Sequence, residues 1–84
     1  MSLAWEDDED KKGSWALTHG FRLSTVEYIG TWSWIVLDPQ GRIVRNGEKE
    51  FPSKEEAQTE CGEALRLYAQ ETIDHMTSLL ASLA

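Results

Sequence analysis

Trp15, Leu17, His19, Phe21 and Leu23 alternate with smaller or polar residues, the two-residue period of a half-buried strand. Gly20 falls inside that run and weakens it or marks a bulge. A second strand is predicted from Thr31 to Leu37, with Trp32, Trp34 and Val36 on one face and Ile35 and Leu37 on the other. Both faces are largely apolar, so this strand is predicted to be central. Asp38-Pro39-Gln40-Gly41 has the residue order of a type I turn, and Arg42 to Arg45 returns as a third strand. Asn46-Gly47 reads as a kink in preference to another tight hairpin turn, because Glu48-Lys49-Glu50 is too polar for an independent strand.

The period then changes from two to three and four. Ser53 with Glu56 three residues later is the pattern of a capping box, and acids in the first turn favour the helix dipole. Ala57, Cys61, Ala64, Leu65 and Tyr68 give an apolar face for the sheet, and Thr72, Ile73, Met76, Leu79, Leu80 and Leu83 continue it with only Gly62 interrupting. A continuous helix to the end of the chain would be ~48 Å long, about twice what three strands can cover. Either it breaks and folds back, or its far half packs on another chain. Leu65, Ala69, Thr72, Met76, Leu79 and Leu83 follow heptad steps, but Ala69 and Thr72 make a poor seam. The expectation is a short antiparallel helix pair across a two-fold axis, a homodimer built on Ile73, Met76, Leu79, Leu80 and Leu83.

Charge divides the chain into three. The 84 residues carry a net charge of −7. Residues 1–12 hold −3, residues 13–52 are neutral and residues 53–84 hold −4. The Glu6–Asp10 run repels itself, so residues 1–13 are expected to be an acidic flexible tail and residues 14–84 a single β-β-β-α domain. The run lacks the alternating ligands, central Gly and closing Glu of a calcium loop. The acidic balance argues against generic binding to nucleic acid or anionic membrane. One Cys cannot form an internal disulfide, no apolar run approaches the ~20 residues of a membrane span, and no signal-peptide pattern is visible. A cytoplasmic protein is expected.

Catalytic chemistry finds little to stand on. His19 alternates with apolar residues as a sheet-face side chain does. His75 follows Glu71 by four residues, one helical face, yet two ligands are not a metal site. Cys61 sits between Ala57 and Ala64 on the inward helical face, where Cys acts as a small hydrophobe. Gly41 and Gly47 are turn glycines with no phosphate-loop pattern. Neither an enzyme nor a cofactor is expected. The four Trp exceed what so small a core accepts. Trp15 with one of Trp32 and Trp34 is assigned to the core, and the remaining indole with Trp5 to an exposed aromatic patch for a protein partner.

The segments Gly30-Thr31-Trp32-Ser33-Trp34-Ile35-Val36-Leu37, Gln40-Gly41-Arg42-Ile43-Val44 and Phe51-Pro52-Ser53-Lys54-Glu55-Glu56-Ala57 resemble the small bacterial YegP-type domains over about residues 14–68. That resemblance implies a three-stranded antiparallel sheet with a helix across one face; the family is itself largely of unknown function. The acidic head and the extended C-terminal helix depart from it. The same β-β-β-α order is similar to ethylene-response and integrase arm-binding domains, whose sheet reads the major groove. On that likeness Arg42, Arg45, Lys49 and Lys54 would contact DNA, with Trp32 or Trp34 alongside, although Glu48 and Glu50 share the strip.

The reading is therefore an α+β fold of three antiparallel strands and one long helix. Its expected role is a small acidic, non-enzymatic protein-interaction module, homodimeric, with Trp5, Trp32 and Trp34 as partner-binding residues. An inhibitor or nucleic-acid mimic of phage or mobile-element type is a variant of that role. A sheet-reading DNA-binding domain is the alternative.

Overall fold

A computed structural model describes residues 3–47 and 49–83. The elements in chain order are β1 (Glu6–Asp7), β2 (Gly13–Thr18), β3 (Phe21–Tyr28), β4 (Thr31–Leu37), β5 (Ile43–Asn46) and α1 (Lys54–Leu83). The strands form one antiparallel sheet in the order β1-β2-β3-β4-β5. The fold is α+β, but the expected three strands are five.

The correction has a local cause. The run from Trp15 to Leu23 is two strands, because His19 and Gly20 both adopt positive φ, 51° and 85°. That pair forms a two-residue turn of the kind whose twist matches a hairpin, and Thr18 lies opposite Phe21. Residues 18 and 21 therefore share a face, and the parity of inward positions reverses across the turn. Trp15 and Leu17 point one way; Phe21 and Leu23 point the other. Ile29 and Gly30, at φ 50° and 78°, repeat the device between β3 and β4, with Tyr28 opposite Thr31. Asp38 to Gly41 makes the expected turn, closed by the Gly41 N–H donating to the Asp38 carbonyl at 2.9 Å. After the kink at Gly47 the chain returns to β4, where Phe51 and Trp32 exchange backbone hydrogen bonds, both at 2.8 Å.

The fifth strand comes from the acidic segment. Glu6 and Asp7 pair with Trp15 and Ser14, so the division drawn at 13/14 falls inside β2. Leu3 and Trp5 pack against the core. The like charges are accommodated in a turn: the Asp8 N–H donates to the Gly13 carbonyl, the Lys11 N–H to the Asp8 carbonyl, and the Lys12 N–H to the Asp10 carboxylate.

Helix α1 opens on Ser53, whose Oγ accepts the Glu56 N–H at 3.2 Å. It runs 30 residues without a break at Gly62. Ala57 and Cys61, both fully buried, are small, which lets the helix backbone approach the sheet. Leu23, Val36 and Cys61 form the centre of the core, flanked by Phe21, Trp34, Val44 and Leu65. Trp32, Phe51 and Ala57 form a second cluster near the start of the helix. Ser14 and Thr25 are buried as a hydroxyl pair, and Gln58 Nε2 donates to Ser14 Oγ at 3.0 Å, joining β2, β3 and α1. Beyond Tyr68 every described residue of the helix is exposed. The molecule measures 52 × 24 × 22 Å, and the free half of α1 accounts for its length.

Candidate functional site

Among the described residues, two apolar surfaces are left uncovered. The first is the far half of α1. Ile73, Met76, Leu79, Leu80 and Leu83, the residues expected at a dimer seam, are 46–74% exposed. Positions 57, 61, 65, 68, 72, 76, 79 and 83 recur at steps of three and four, so the side of the rod that covers the sheet continues into open solvent.

The second is the face of the sheet opposite α1. The pairing register places Trp15 and Leu17 of β2, Arg22, Ser24, Val26 and Tyr28 of β3, Ser33, Ile35 and Leu37 of β4, and Ile43 of β5 on that face. Leu17, Val26, Tyr28 and Ile43 are 53–73% exposed. The Arg22 guanidinium lies over the Trp15 ring, 5.3 Å from its centroid. A shallow cavity of about 340 Å³ lies between Val26, Ser33, Ile35 and Asn46.

The aromatic patch assigned from sequence is not where the structure exposes aromatic surface. Trp32 is buried in the core, and Trp5 and Trp34 pack half-buried against it on the helix side. Trp15, assigned to the core, lies half-buried on the uncovered face. Period-two reading missed that face because it carried one parity through the His19-Gly20 turn. Two adjacent residues able to adopt left-handed φ were the available signal, weakened because the first is His instead of Asn or Asp.

The four bases of the DNA-binding alternative are not brought together on the sheet. Arg45 turns toward α1, pairing with Glu71 and stacking on Tyr68 at 5.1 Å. Lys54 pairs with Asp7 at 3.0 Å, Arg42 with Asp38 at 3.2 Å, and Lys49 lies over Phe51. Glu48 lies outside the described residues. Three of the four cations therefore already face a carboxylate.

Titratable groups carry structural roles. Burial pushes the Cys61 thiol up to about 12, and its Sγ faces the Ile35 carbonyl at 3.6 Å. The Arg42 N–H holds the Asp38 carboxyl below its ordinary value, with the Gln40 N–H and the Arg42 guanidinium adding to the effect. His19 sits in a turn, its Nδ1 3.0 Å from Thr18 Oγ1. Glu71, the partner considered for His75, is engaged by Arg45. Among the described residues no three His, Cys, Asp or Glu side chains converge as metal ligands, and no helix is long and apolar enough to cross a membrane.

No family model, curated protein or solved structure matches the chain.

Proposed function

We propose that this chain is a small, non-enzymatic, cytoplasmic protein-interaction module that works as a homodimer. The observation that carries the reading is the free half of α1. Five large apolar side chains on 11 consecutive residues, Ile73–Leu83, stand in solvent, although, the Arg45–Glu71 ion pair apart, no described helix residue past Tyr68 is covered by the monomer's own packing. Contiguous apolar surface of this kind marks an interaction site. The acidic composition keeps such a surface soluble and selects against polyanions.

Sedimentation equilibrium tests it. The intact chain is expected to be dimeric at high micromolar concentration, and L79D with L83D is expected to be monomeric with an unchanged far-ultraviolet circular dichroism spectrum. A monomeric intact chain at that concentration overturns the reading.

A further inference from the structure

We infer that the two unpartnered surfaces belong to each other across the dimer: the free half of α1 in one copy covers the open sheet face of the second, and the second returns its own. This inference rests on the self-association proposed above and names the surface that receives the stripe, in place of a helix-on-helix seam.

Four observations carry it. The surfaces occur in equal number, one uncovered sheet face and one surplus half-helix per chain, so a symmetric pair leaves neither over. Their dimensions agree. Thr72–Leu83 spans ~18 Å, and strands of six to eight residues span about 20–26 Å. The free stripe lies on the side of the rod that already faces its own sheet, and this fixes the geometry. A two-fold axis through the middle of the rod, at the level of the sheet, brings the partner's sheet over the free half-rod with its open face toward the stripe. The same rotation lays the partner's half-rod across the first open face. Each sheet is then sandwiched between its own helix and its partner's, and the contact is isologous, as a closed dimer requires.

The exposed side chains of stripe and sheet face present on the order of 1,000 Å² per copy, against the roughly 800 Å² per partner of a standard stable interface.

The test separates this arrangement from self-association as such. Leu17 and Val26 are exposed and project from the open face, so L17E with V26E leaves the monomer's core untouched. Under reciprocal exchange that variant dimerises at least about tenfold more weakly than the intact chain. Under a helix–helix seam it dimerises normally, and that result overturns the exchange while leaving self-association standing. Mixing supplies the second arm. L17E/V26E keeps a competent helix, and L79D/L83D keeps a competent sheet face. Exchange predicts that the two associate with each other, through one intact contact, more tightly than either does with itself, whereas mixed association no tighter than self-association overturns it. A monomeric intact chain overturns both this inference and the reading beneath it.

Discussion

Leu23→Ala is the perturbation whose size the packing fixes most closely. Leu23 is fully buried between Ala16 of β2 and Val36 of β4, under Cys61 of α1. Truncation removes three carbons, and the neighbours are ill suited to close the gap. Ala16 has no further side chain to offer, Val36 is stiff at its branch point, and Cys61 is fixed on the helix backbone. The loss should lie in the middle of the range for buried Leu→Ala, about 3–4 kcal/mol. A domain of 84 residues has roughly 4–12 kcal/mol in total, so at least about a quarter of the stability is at stake. The melting temperature should fall by about 15–25 °C. Urea unfolding followed by circular dichroism at low micromolar concentration reads the change, with an unchanged m-value marking a pure stability effect. Leu80→Ala, in the free half of the helix, is the control and should cost the monomer less than about 0.5 kcal/mol. A Leu23→Ala loss below about 1 kcal/mol, or one matched by Leu80→Ala, would refute the assignment of the core.

Cys61 should resist thiol reagents in the native protein and react at the rate of global opening. Because its folded value is raised to about 12 from 9.0, its contribution to stability is complete below about pH 9 and lost as pH rises toward 12; Cys61→Ala should remove that part of the alkaline slope. Asp38 has the opposite sign. Its carboxyl is held below its ordinary value, so its contribution is present above about pH 4 and fades as pH falls further, and Asp38→Asn should flatten the acid limb of a stability–pH profile. Gly30→Ala should cost about 1 kcal/mol by thermal melting, since φ is 78° and an added Cβ meets nothing within 4 Å. Gly20→Ala should cost more, because there Pro39 Cγ would lie 3.1 Å from the new atom.

The parts of the fold legible in the sequence were those specified by nearest neighbours. The Ser53 cap, the Asp38–Gly41 turn and the alternation of Trp32, Trp34 and Val36 each need only a few adjacent residues, and each appears in the structure. The helix was legible too, its continuity through Gly62 less so, because a single Gly costs only ~1 kcal/mol and packing by Ala57 and Cys61 overrides it. One strand was lost at the first two-residue turn, where His19 is unusual at positive φ. The two-residue loop also preserves the odd-numbered alternation while reversing what it means. The edge strand was lost to charge: Glu6 and Asp7 read as solvated tail, but pairing with β2 and the Lys54–Asp7 bridge hold them to the fold. The same parity reversal hid the open face, and with it Trp15, Leu17, Val26, Tyr28 and Ile43.

Each strand pairs with its neighbour in the chain, and the connections between β1 and β5 are from two to five residues long. The hydrogen bonding of the sheet can thus be completed by zipping outward from either two-residue turn, with very small loop-closure entropy at each step. Among the described residues, the docking of α1 and the return of Phe51 to Trp32 join more distant parts of the chain. Contacts of short sequence separation favour rapid folding, so refolding from urea should proceed in a single fast phase at concentrations too low for association. Any slower, concentration-dependent phase then reports the meeting of two finished monomers.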